Sequence, residues 1–365
     1  MLLHTLGYSS IQVPSNESYA MLTRARLLTF AIAILGVAVF HALDLPLPFL
    51  FGPMFACLGA ALAGVRMQGA GQISVAARTV LGVAVGASIT PAILGQVPLM
   101  AVTLAMIPVY IAIIGLIGVP FFQRICGFDR VTSYYAAMPG GFQDMVLFGQ
   151  EAGANPRALS LIHATRVLVI VTLVPILLTG PFNLSLDQPI GAPARDVPML
   201  EMVIMVVVAL IGWKGGERIG LFGAAILGPL ILAAALSLGD IIHHRPPAEA
   251  IMAAQFFIGM GIGMQFRGVT FGELRHDVAA GAAFAVILAI LAGGFTLLAH
   301  KIGNVPMLEA FLSFAPGGQA EMTVLAIVAG ADLGFIVIHH LMRLIVVITG
   351  APIMARLIWG KADRS

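Results

Sequence analysis

Charge is what this chain has least of. Only 10% of its 365 residues are Asp, Glu, Lys or Arg, against 59% hydrophobic ones, whereas a soluble domain carries about 25% charged residues. That scarcity excludes an ordinary water-soluble globule. Cysteine is scarcer still. Cys57 and Cys126 stand singly in or beside apolar runs, which excludes a disulfide framework and CxxC-type metal spacing. A formal charge of +2 without a basic face or arm excludes a nucleic-acid partner, because nothing is there to neutralise phosphates. Phosphate-binding loops, the dinucleotide glycine turn and the nucleophile elbow are all missing. The histidines do not reach the three or four convergent ligands that a copper or zinc centre needs.

What is present is apolar sequence in runs of about 20 residues, long enough to cross a bilayer. In the first half these runs fall at 27–43, 47–65, 74–90, 97–122 and 156–179. In the second they fall at 199–213, 219–238, 248–266, 277–299 and 333–359. Residues 1–22 are polar and without a signal-peptide core. They are expected to be a disordered tail, with Met21 as the working start. The proline-rich stretch 181–197 separates a first membrane repeat, 23–180, from a second, 198–360, with a short cytoplasmic tail at 361–365.

The repeat itself is legible residue by residue. Pro139, Gly140 and Gly141 recur 177 positions later as Pro316, Gly317 and Gly318. At the same offset Asp144 meets Glu321, Asn155 meets Asp332, His163 meets His340 and Arg166 meets Arg343. Each Pro-Gly-Gly lies between two apolar pieces of about ten residues, half a bilayer as helix. A broken helix at that depth survives only where protein or water satisfies its backbone. The second half-helix then presents N–H groups and a positive dipole end, which attract anions. Paired breaks at matching places in two repeats point to a transporter's binding site. The candidate substrate-binding residues are therefore Pro139, Gly140, Gly141, Asp144, His163, Arg166, Pro316, Gly317, Gly318, Glu321, His340 and Arg343.

Asp144 and Glu321 occupy the first turn of their half-helices, where a carboxylate complements the dipole or holds a coupling proton or Na⁺. His163 and Arg166 share a helix face, as do His340 and Arg343. Two arginines inside a membrane need partners. Asp144 and Glu321 are the expected ones if the arginines brace the hairpins, and a substrate carboxylate is expected if they bind solute. The glycine pairs Gly82/Gly86 and Gly259/Gly263 read as plain helix packing. Cation counting favours re-entrant hairpins and inverted repeats: fourteen loop cations, Arg78 among them, fall inside and three outside, against twelve and five if each hairpin crosses.

At the Pro-Gly-Gly…Asp/Glu and Gly-Ala-Asn/Asp…His-x-x-Arg segments the sequence resembles the bacterial membrane AbrB family, described by an "AbrB duplication". Its members are often labelled ammonia monooxygenase or regulator of gene expression. The arrangement is also similar to elevator-type carboxylate transporters with glycine-tipped hairpins, a likeness at the level of fold. The expectation is an all-α polytopic inner-membrane protein of two inverted repeats, each with five transmembrane helices and a re-entrant hairpin. It would move a small anionic solute by alternating access. It would need no cofactor beyond a coupling ion, and its partners would be the bilayer, the solute and a second copy in a homodimer. The alternatives are a membrane sensor affecting gene expression and a copper-dependent monooxygenase-like enzyme.

Overall fold

A computed structural model describes residues 23–359 apart from Asp187 and Phe222. The expectations for residues 1–22, Met21 and 361–365 lie outside the described residues. Among those described the chain is helical and no strand occurs. Six stretches are long and apolar enough to cross a membrane: Arg24–Ala42, Pro91–Ile125, Pro156–Thr179, Met199–Arg218, Phe271–Gly303 and Leu333–Ala355. Four runs expected as full spans are shorter helices: α2 (Pro48–Leu62), α3 (Gln72–Gly86), α10 (Ala224–Leu238) and α11 (Ala248–Met264). Each rises only about 22–26 Å. Left-handed glycines trim two of them: Gly64 stops α2 and Gly223 precedes α10.

The helices sort into two groups by what they pack against. One holds α1 (Arg24–Ala42), α2, α3, α9 (Met199–Arg218), α10 and α11. Its crossings are set by glycine. Gly36 of α1 lies against Gly52 of α2, and Gly212 of α9 lies against Gly228 of α10, so closely that any Cβ would strike a backbone oxygen. Gly82 and Gly86 of α3 meet the carbonyls of Ile226 and Leu230 on α10. Gly259 and Gly263 of α11 meet those of Leu50 and Met54 on α2. Each repeat thus packs its third helix on the second helix of the other. Helix packing explains these glycines.

The other group holds α4 (Pro91–Gln96) leading to α5 (Ala101–Pro120), α8 (Pro156–Thr179), α12 (Phe271–Glu273) leading to α13 (Ala279–Gly303), α16 (Leu333–Trp359) and the two broken pairs. These pairs are α6 (Arg130–Ala137) with α7 (Phe142–Glu151), and α14 (Met307–Phe314) with α15 (Gln319–Val328). Buried hydroxyls tie first-half elements to second-half backbone. Tyr110 Oη donates to Phe314 O at 3.0 Å and Tyr134 Oη to Ala351 O at 2.8 Å.

Equivalent helices run in opposite directions. Arg267, just past α11, donates to Met67 O, just ahead of α3 (2.7 Å), while Arg245, just ahead of α11, donates to Ser88 Oγ, just past α3 (3.2 Å). The start of α8 follows suit, with Arg157 donating to Arg267 O. The start of α16 lies at the other end, in a cavity shared by Ser88 and Arg245.

Candidate functional site

Both helix breaks arise from the same local chemistry. Met138 and Ala315 precede proline and are extended (ψ 129° and 127°), as the clash with the proline ring requires. Gly141 and Gly318 then cap the second half-helices with extended backbone. Their φ values are ordinary, so left-handed freedom is not what these glycines supply. They supply space, and the protein itself fills it. A Cβ on Gly140 or Gly317 would strike Met145 or Met322, and one on Gly141 or Gly318 would strike the carboxylate of Asp144 or Glu321. Each carboxylate folds back over the N-terminus of its own half-helix and complements its dipole.

The arginines therefore find other partners than expected. Among the described residues no ion pair joins Arg166 or Arg343 to Asp144 or Glu321. Arg166 donates to Met138 O (3.1 Å) and Gly140 O (2.8 Å), and Arg343 donates to Ala315 O (2.8 Å) and Gly317 O (2.9 Å). The reason is reach. The broken helix exposes carbonyls that the next full helix faces, while the carboxylates are drawn to the N–H ends. The histidines complete the frame one turn earlier. His163 Nε2 lies 3.1 Å from Tyr135 O and His340 Nε2 lies 2.9 Å from Leu312 O. All four side chains are at least 93% buried. His339, which has no counterpart in the first half, bridges Phe335 O and Thr103 Oγ1 at 2.8 Å each.

The two tips meet in one cavity of about 390 Å³ between the helix groups. Of the candidate residues, Pro139, Gly140, Gly141, Asp144, Arg166, Gly317, Gly318, Glu321, His340 and Arg343 line it, whereas His163 and Pro316 stand behind the wall. Arg166 Nε and Gln319 Nε2 are buried donors without a hydrogen-bond partner, on residues that line this cavity. At its rim Glu217 is held by Trp213 Nε1 (2.6 Å) and Lys214 Nζ (2.9 Å).

Sequence reasoning missed Arg78, Gln265 and Gln319. Arg78 was counted among cytoplasmic loop cations, but α3 begins at Gln72 and places it in the second turn, on the cavity wall. The signal was available. At the repeat offset Arg78 meets Gln255, a second polar residue in an apolar run. Among the described residues no three His, Cys, Asp or Glu side chains converge as a metal site. Outside the spans, His243 is hydrogen-bonded by Glu201 and Asp240, which raise its pKa above the usual 6.5.

A family model described as "Transition state regulatory protein AbrB" matches residues 49–359. The chain belongs to the AbrB family. It is similar to the Escherichia coli (strain K12) protein named "Putative regulator AbrB", 27% identical over 331 residues, 87% of this chain and 92% of that protein. It is also 27% identical over 248 residues to "Uncharacterized protein YhjN" of Bacillus subtilis (strain 168), covering 63% of this chain and just under two thirds, 64%, of YhjN. The matched region of this AbrB-family chain contains both hairpins and both arginine frames.

Proposed function

We propose that this AbrB-family protein is a secondary transporter that moves a small anionic solute across the inner membrane by alternating access. The observation that carries this reading is the single cavity where both broken hairpins meet, lined by both buried arginines. A pair of structural braces would have no need to converge on shared space between two helix groups. Backbone breaks at membrane depth are tolerated where they line a cavity, and paired breaks are the usual mark of a solute site. The unpartnered donors of Arg166 and Gln319 favour an acceptor-rich guest. Asp144 and Glu321, seated on the half-helix N-termini, are the groups that would take up a coupling proton or Na⁺. Oppositely directed α3 and α11, and α8 and α16, support inverted repeats with hairpins that re-enter from opposite faces.

Two measurements test this. In the full-length protein, cysteines placed at Asn155 and Asp332 are expected to be labelled from opposite sides of the membrane. Labelling from one side removes the inverted arrangement. In a thermal-shift screen against acetate, pyruvate, succinate and glutamate at several pH values, at least one anion is expected to stabilise the protein. That response is expected to weaken in Arg343→Lys, which keeps the charge and loses the two-carbonyl span. A wild-type protein indifferent to every anion while taking up a cation in vesicles would overturn the anionic assignment. The regulator reading draws on the relatives' names alone, and no site feature favours it.

A further inference from the structure

The two hairpin tips meet the cavity with different residues. At the repeat offset Phe142, the first residue of α7, corresponds to Gln319, the first residue of α15, and both line the cavity. One tip offers a ring and the other an amide. Gln319 Nε2 is a buried donor without a hydrogen-bond partner, and so is Arg166 Nε. Arg166 is 2% exposed, and its terminal nitrogens are spent on Met138 O and Gly140 O. Its guanidinium stands within electrostatic reach of Glu321, two residues beyond Gln319. The two donors therefore belong to one neighbourhood, one from each repeat. Buried donors are costly until an acceptor answers them. An anionic group received there would be held by both halves of the chain at once.

The rest of the cavity is poorly made for a second anionic group. Arg343 spends its terminal nitrogens on Ala315 O and Gly317 O. Arg78 is already engaged, and it stands within electrostatic reach of Asp144 and Glu321. Those two carboxylates repel anions. Much of the remaining wall is apolar: Val75 of α3, Ile226 and Leu227 of α10, Ile258 and Ile262 of α11 face the same space as Phe142. A second charge laid against such a wall would lose its hydration without gaining a partner, whereas a short hydrocarbon would gain by leaving water.

We infer that the solute of this cavity is a small monocarboxylate with an apolar body. Arg166 and Gln319 receive its carboxylate, and Phe142 with the aliphatic wall receives its hydrocarbon part. The inference rests on the reading of the cavity as an anion site. The test uses the purified full-length protein and reads the ligand concentration that gives half the maximal thermal shift. The probes are acetate, propionate, butyrate and valerate, with succinate, inorganic phosphate and the neutral butyramide for comparison.

In the wild type each added methylene is expected to lower that concentration by about two- to fourfold. Butyrate is expected to act at about tenfold lower concentration than succinate, phosphate or butyramide. Gln319→Leu is expected to raise the butyrate concentration about tenfold. Phe142→Gln, which gives the first tip the residue of the second, is expected to flatten the chain-length series and bring succinate level with butyrate. Succinate or phosphate acting at or below the butyrate concentration in the wild type overturns the inference and leaves the anion site standing. A series without chain-length dependence does the same, as does a folded Gln319→Leu protein of wild-type affinity. Butyramide equal to butyrate, or a wild-type protein that no probe stabilises, overturns the anion-site reading as well.

Discussion

The two hairpins are built on one frame and set in different surroundings. In both, a histidine bonds the carbonyl 28 residues back, and an arginine bonds the carbonyls 28 and 26 residues back. At the hairpin base Asn155 N donates to Thr132 Oγ1 (2.9 Å), and its counterpart Asp332 N donates to Glu309 Oε1 (3.4 Å). Yet α7 keeps an exposed face at Leu147 and Gln150, while α15 is buried along nearly its whole length, from Ala320 to Val328. Geometry at the break is local and was duplicated with the sequence. Burial is not local. It depends on the neighbours, and α15 packs against α16, α3, α8 and α11. The second hairpin is thus the more buried one and the first the more open.

The largest expected effect probes that difference. Arg343→Ala removes two charge-assisted bonds and strands the carbonyls of Ala315 and Gly317, both buried. It is expected to cost about 3–5 kcal/mol in denaturant or thermal unfolding. Arg166→Ala breaks the matching bonds in the more open hairpin and is expected to cost measurably less. Equal losses would show that burial of the second hairpin does not strengthen its frame.

Next come the glycine crossings, where the repeats are alike. Gly36→Ala and Gly228→Ala each push a Cβ into backbone of the partner helix. Each is expected to destabilise by about 1–3 kcal/mol, as overpacking does. A silent substitution in either repeat would mean that its crossing is looser than its twin.

A smaller difference is expected at the carboxylates. Asp144→Asn and Glu321→Gln each remove a charge from a half-helix N-terminus, worth about 0.3–1 kcal/mol at the surface and up to ~2 when partly buried. The effect should be larger at Glu321, which is 9% exposed. Thermal midpoints of the two variants rank them, and the reverse order would contradict the burial argument.

The smallest effect lies outside the spans. At the repeat offset, His243 replaces Arg66, so only the second half carries a group that titrates near neutrality there. Glu201 and Asp240 raise the His243 pKa in the folded protein. Its stabilisation is therefore complete below the usual 6.5 and is lost as pH rises through the raised value. Melting of the wild type between about pH 6 and 8 should fall slightly more than that of His243→Gln. Parallel curves would show that these hydrogen bonds contribute nothing to stability.

The sequence by itself determined the membrane class, the duplication, the two helix breaks and ten of the cavity-lining residues. Those features are written in composition and in identities at one spacing, and hydropathy and proline sterics act locally enough to be read there. Four short helices are overlong in that reading: left-handed glycines stop α2 and start α10 inside their apolar runs, and α3 and α11 end before theirs do. Only the tertiary structure decided who partners whom. The arginines take carbonyls because the hairpin presents them to the next helix, and the carboxylates turn to their own half-helix ends. Arg78 reaches the cavity because α3 is docked on α10 through Gly82 and Gly86. A charge in the second turn of a short helix looks like an anchor until the packing shows what it faces.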